Sequence, residues 1–170
     1  MGEIKKSKTL KSADRYLTFC VDDEKYGIHI SRIKEIIATI NITHIPKTPD
    51  FVKGVINLRG SVIPVVDVRL KFGMKEKEMD IDSAIIIYEV NKASIGFIVD
   101  QVEDVLSIDE KHISDAPHFG SSIDTSFIEN VAEVENDVIM LLNLEKIFEA
   151  HELLDIAKLE KDETQKEEEK

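Results

Sequence analysis

Apolar residues recur in short Val- and Ile-rich runs separated by polar turn residues, which predicts strands rather than long helices. The clearest case is Phe51 to Leu70. Two runs, Val52–Leu58 and Val62–Val68, flank Leu58-Arg59-Gly60-Ser61, which reads as a tight hairpin turn. Gly60 supplies the positive φ such turns need, but nothing in turn geometry asks for Arg59. Tyr16–Val21 and Tyr26–Ile30 read as strands about a turn at Asp22–Lys25. Ser31 to Ile37 fits either a short capped helix, with Ile33, Ile36 and Ile37 at helical spacing, or a turn followed by a strand. Thr39–Thr43 alternates as a strand, and Pro46 and Pro49 interrupt the chain. Asp67–Phe72 reads as a helical turn ended by Gly73. Further on, Ala84–Val90 with Ser94–Val99, and Phe127–Val134 with Val138–Leu142, form two more hairpins, and Val102–Leu106 follows the first of them. Ser107 to Asp124 is turn-rich. Asn143 is placed to cap a final helix with Leu144, Ile147, Phe148, His151 and Leu154 on one face.

The pattern occurs twice. Shifted by 69 positions, Tyr16–Ile37 meets Ile85–Leu106 without a gap, aligning Gly27 with Gly96, Ile36 with Val105 and Ile37 with Leu106. At a shift of 76, Phe51 meets Phe127, Asp67-Val68 meets Asn143-Leu144, and Phe72 meets Phe148. Two copies of short strands predict two small antiparallel barrels of about 60–70 residues each, a marginal size for a unit standing alone. The copies should therefore pack together and exchange strands. Core positions match between copies, whereas Arg59-Gly60 meets Glu135-Asn136. The turn is kept and its charge reversed, so Arg59 is a binding or architectural residue; the plain alternative is a solvated turn arginine.

Composition narrows the function. The chain has 170 residues, is 42% hydrophobic and carries a formal net charge of −12 with no basic run, which argues against nucleic acid and anionic membranes as partners. The lone cysteine, Cys20, excludes an intrachain disulfide and is expected as a small buried hydrophobe. Residues 1–15 read as a mobile tail without a signal peptide's apolar region, and 158–170 as a charged disordered tail. Between them lie an expected barrel 1 at 16–78 and barrel 2 with its helix at 79–157. No phosphate loop, nucleophile elbow or metalloprotease motif is present, and His29, His44, His112, His118 and His151 are scattered. No enzyme, cofactor or metal is expected.

Three stretches carry a resemblance: YLTFCVDDEKYGIHISRIKEII, IPKTPDFVKGVINLRGSVIPVVDVRLKFG and GFIVDQVEDVLSI, with the weaker APHF and MLLNLEKIF after them. Together they resemble the CheW-type adaptors of bacterial chemotaxis across Tyr16 to Leu154. The resemblance implies a mostly β fold of two tandem five-stranded SH3/OB-like barrels with partly exchanged strands, short helices and a C-terminal helix. It implies no catalysis. The implied partners are the cytoplasmic tips of chemoreceptors and the regulatory domain of the histidine kinase CheA. The implied state is a cytoplasmic monomer, recruited to membrane receptor arrays through its partners and forming rings there. A CheW-like adaptor of pilus motility or another kinase array is an alternative. A nucleic-acid-binding pair of small barrels is another, poorly served by an acidic chain with 7 Phe, 3 Tyr and no Trp.

On that implied function, Ile33, Glu35, Ile36, Arg59, Val102 and Val105 are the receptor-site candidates, with the isoleucines and valines lining an apolar groove for a helix. Ile37 and Leu106, at equivalent positions, are expected in the core. Arg59 pairs either with Glu35, as a brace, or with an acceptor on the receptor. Ile40 and Ile42 are candidates for docking the kinase, with burial in barrel 1 as the alternative, and Phe119 for a second, ring-closing contact.

Overall fold

Why the hairpins form is visible in their turns. In the computed structural model, which describes residues 14–38, 40–116, 126–149, 152–156 and 158–159, both central residues of three turns have positive φ: Arg59 and Gly60 (51° and 87°), Asn91 and Lys92 (50° and 68°), Glu135 and Asn136 (49° and 71°). That geometry matches the right-handed twist of the strands it joins. The turns close β4 (Val52–Leu58) on β5 (Ser61–Asp67), β6 (Ala84–Val90) on β7 (Ala93–Val99), and β10 (Ile128–Val134) on β11 (Asp137–Leu142). A fourth hairpin joins β1 (Asp14–Val21) to β2 (Glu24–His29).

The remaining strands are β3 (Ile33–Ile37), β8 (Gln101–Ile108) and the three-residue β9 (Ile113–Asp115). One sheet runs β8-β1-β2-β11-β10-β9 and the other β3-β6-β7-β5-β4. The chain accordingly forms two compact units, one from residues up to Ser31 with Val102–Ile147, the other from Arg32–Gln101 with the chain from Phe148 on. Each unit draws strands from both sequence repeats, so the strands are reciprocally exchanged. In the first unit β11 runs parallel to β2, Leu141 opposite Gly27; in the second β5 runs parallel to β7, Val65 opposite Gly96. These are the same pairing under the two sequence shifts. A Cβ on Gly27 would lie 2.9 Å from Leu141, and one on Gly96 2.8 Å from Ile85, so glycine lets the strands close up in both units.

The repeat extends to hydrogen bonds. Asp67 N donates to Phe51 O at 2.7 Å, and its counterpart Asn143 N donates to Phe127 O at 2.9 Å. Both side chains also cap the turn of helix directly after them. Asp67 Oδ1 accepts from Arg69 N at 2.9 Å and opens helix α1 (Val68–Lys71), with Gly73 beyond it at φ 79°. Asn143 Oδ1 accepts from Glu145 N at 3.0 Å and opens a 3-10 turn, Leu144–Ile147. Aliphatic cores fill the units: Ile56, Ile63, Val65, Ile85, Ile87 and Ile98 in one, Ile108, Ala132, Ile139 and Leu141 in the other.

Of the two readings of Ser31 to Ile37, the turn followed by a strand is the one that forms: a 3-10 turn, Ile30–Arg32, leads into strand β3, because β6 offers the segment a ladder of backbone partners. Three expectations need correction. Ile40 to Thr43 is not a strand. It makes one bridge, Thr43 to Val55, the counterpart of β9 on β10, where Ser114 meets Val131. The final helix is not continuous: after Leu144–Ile147 the chain turns, and 152–156 with 158–159 is helical again. Glu152 Oε1 accepts from Glu149 N at 2.8 Å, a capping contact that restarts the helix and rotates its apolar face. Ile156 is buried and Leu154 exposed, while His151 lies outside the described residues. Cys20, finally, is half-buried rather than buried, with Sγ beside Glu103 Oε1 on β8.

Candidate functional site

The β4–β5 turn carries Arg59 at its left-handed first central position, held by Asn57 Oδ1, which accepts from Gly60 N at 3.0 Å. Glu135 sits in the same conformation in the other copy. The fold of the turn therefore accepts either charge, and arginine is there for its side chain. The guanidinium reaches β3 as a fork: Nη1 donates to Glu35 Oε1 at 3.1 Å and Nη2 to Oε2 at 2.5 Å. Of the two partners named for Arg59 from sequence, the intramolecular one is thus occupied. The Arg59 side chain stays 72% exposed and Glu35 31%. This hydrogen bond, and then the arginine's charge, hold the Glu35 carboxyl below the usual carboxylate range.

A bulge in β3 sets what faces where. Ile33 pairs with Tyr88, and the register then slips so that Glu35, Ile36 and Ile37 meet Ile87, Ile86 and Ile85. Ile33 and Ile36 thereby share one face and Glu35 and Ile37 the other. On the second face Ile37 packs against the core, as expected of it, while Glu35 meets Arg59 over a recess floored by Leu58, Ile63 and Ile87. Lys34, Lys92 and Ser94 complete its rim, and Lys34 Nζ donates to Ser94 Oγ at 2.8 Å. On the first face Ile33 is half-buried and Ile36 42% exposed. Val105, the counterpart of Ile36 on β8 of the other unit, is 41% exposed; Val102 is half-buried and Leu106 packs against that unit's core. Exposure of a large aliphatic at the same place in both copies is not what an ordinary core position would show.

Ile40 and Ile42 part company. Ile40 is exposed, whereas Ile42 packs half-buried against the core of its unit. Phe119 lies outside the described residues. Lys34, Lys92 and Ser94 were missed in the sequence. Lys92 had a signal: it occupies the second central position of an Asn-led turn, where glycine is the usual choice.

Comparison with known proteins points to one family. The family model of the CheW-like domain matches residues 15–152. The chain is 33% identical over 138 residues to the chemotaxis protein CheW of Klebsiella aerogenes, covering 81% of this chain and 83% of that one. It is 34% identical over 147 residues to the chemotaxis protein CheW of Rhizobium meliloti, covering 86% and 95%. The crystal structure of the scaffolding protein TtCheW from Thermoanaerobacter tengcongensis superposes with a TM-score of 0.75 at 37% identity, covering 82% of this chain and 95% of that one.

Proposed function

This chain belongs to the CheW-like family of non-catalytic chemotaxis adaptors, and on that premise we propose that it couples the cytoplasmic tips of chemoreceptors to the regulatory domain of the histidine kinase CheA. The tandem small-barrel fold is the family's, and a pair of nucleic-acid-binding barrels is not favoured. No helix among the described residues is long and apolar enough to cross a membrane. Recruitment to receptor arrays through protein partners is part of the proposal.

The observation that carries the reading is the Arg59–Glu35 fork on a strand whose opposite face presents Ile36. The fork stiffens the end of the β4–β5 hairpin against β3. That presents Ile33 and Ile36 as an apolar strip for a receptor helix, and Val102 and Val105 form the equivalent strip of the other copy. Ile40 is the docking residue for the kinase, ahead of the half-buried Ile42, and Phe119 serves the ring-closing contact.

The test uses purified receptor cytoplasmic fragments and the CheA regulatory domain. Arg59→Glu should melt near the wild type, since Glu135 occupies the same turn position, and should lose receptor and ternary complexes. Arg59→Lys keeps the charge but loses the fork, and should bind more weakly. Full binding by the Glu variant would reduce Arg59 to a solvated turn residue. Failure of the wild type to bind either partner would sink the adaptor reading.

A further inference from the structure

Two turn cations converge on one recess. Arg59 and Lys92 come from different hairpins, β4–β5 and β6–β7, and both hold left-handed backbone, at φ 51° and 68°. That region is unfavourable for side chains other than glycine, asparagine and aspartate, so each long cation is placed there against backbone preference. A third cation, Lys34, is set on the same rim by its hydrogen bond to Ser94. Among the residues lining the recess one carboxylate, Glu35, stands against these three, and it is engaged by Arg59; Glu89, opposite Ser94 on the β6–β7 ladder, is a second acid beside the rim and leaves the cations in excess. The recess therefore carries a local surplus of positive charge on a chain whose formal net charge is −12. A surplus of that sign against the sign of the whole molecule focuses an approaching anion on this spot.

We propose that the recess bounded by Lys34, Arg59, Lys92 and Ser94 is a carboxylate-binding site that receives an acidic side chain of the bound receptor and sets which receptors this adaptor prefers. The inference rests on the adaptor reading and adds to it the chemistry of the recognised group. The recess is open, polar at its rim and apolar at its floor, so it fits a side-chain carboxylate on an aliphatic stem. The apolar strip of Ile33 and Ile36 lies on the opposite face of β3, the edge strand of its sheet, so a receptor lying along that edge takes contact area from the strip and meets the cationic rim around the edge, which supplies choice of partner and speed of encounter.

The experiment measures binding of a purified receptor cytoplasmic fragment to the full chain, with Lys34→Glu, Lys92→Glu and the double variant, at several salt concentrations. Both lysines are exposed, and melting curves confirm that the variants fold. The double variant should bind on the order of tenfold more weakly at low salt, mostly through a slower on-rate, and the gap should close as salt rises. Lys92→Gly relaxes the turn and removes the charge. It should raise the melting temperature while weakening receptor binding, a split that a structural role would not produce. Replacing acidic residues of the receptor fragment with lysine one at a time should reveal one position at which the double variant regains affinity. If the double variant binds as the wild type does at low salt while Arg59→Glu does not bind, the carboxylate site is refuted and the adaptor reading stands. If the wild type binds no receptor fragment, both fall.

Discussion

Gly54 is the position at which a single methyl group should do the most damage. It lies inside β4 at a bulge, where the register against β5 slips between Val52 and Gly54, and its φ is 142°. A Cβ there would sit 2.0 Å from the carbonyl oxygen of Thr43 and 2.7 Å from its carbon. Both are backbone atoms, so no rotamer change relieves the clash. The chain would have to give up the Thr43–Val55 bridge, with its hydrogen bonds of 2.8 Å and 2.9 Å. Losing two such bonds costs about 2 kcal/mol. Forcing alanine into this backbone region adds about 1–3 kcal/mol. Gly54→Ala should therefore lose about 3–5 kcal/mol, or roughly 6–20 °C in melting temperature for a chain of this size. Urea titration followed by circular dichroism measures it. Gly60→Ala is the control: φ is 87° but nothing lies within 4 Å of the added Cβ, so only the backbone term remains, about 1 kcal/mol. Equal midpoints for the two variants would refute the steric argument. Because Ile40 and Ile42 hang on the same bridge, Gly54→Ala should also weaken kinase binding more than its loss of stability explains.

Ile40→Asp should abolish kinase binding with little change in melting, whereas Ile42→Asp should also destabilise, since Ile42 touches the core; the reverse order would overturn the assignment. Lys71, with its side chain 15% exposed, donates to Glu152 at 2.8 Å and lies 4.3 Å from the centre of the Phe51 ring, so Lys71→Ala should cost about 1–3 kcal/mol, and an unchanged urea midpoint would contradict that. Burial, more than its backbone hydrogen bonds can offset, pushes the Asp67 carboxyl above its ordinary 3.8. The folded state then holds the proton more tightly than the unfolded one. Relative to Asp67→Asn, the wild type should gain stability as pH falls from above the raised value toward 3.8, and a relative loss over that window would mean the ionised form is the favoured one.

What the sequence showed, it showed locally. The hairpins were legible because turn residues and strand alternation are neighbours in the chain, as at Leu58–Ser61. The repeat was legible because both copies bury equivalent side chains. The Arg59–Glu35 pair could be named as one option because a charge reversal between copies singled out Arg59. Pairings decided by distant segments were not legible from pattern. Nothing near Gly27 announces Leu141, and the exchange of strands was expected only from packing need and resemblance. Ile40 to Thr43 alternates like a strand but meets a neighbour only at Thr43. The break at 148–149 depends on Glu152 reaching back to Glu149, which competes with a simple apolar periodicity. Lys34, Lys92 and Ser94 lie on separate elements, and only the folded sheet collects them.

The reciprocal pairing of repeats has a consequence for the protein while it is being made. The β1–β2 hairpin leaves the ribosome before the other described strands, yet the edge of β2 waits for β11, the last of them to emerge. The sheet from β3 to β7 can close in the meantime, since its strands are contiguous in the chain. Between the emergence of Val99 and that of Leu142, about a quarter of the 170 residues, a nascent molecule thus carries one finished sheet and one orphan hairpin whose open edge accepts any strand of the right kind. On a crowded polysome the nearest such strand belongs to a neighbouring copy. An intertwined dimer, each chain lending β11 to the other's hairpin, is therefore the misassembly this architecture invites, and fast overexpression is the condition that would bring it out.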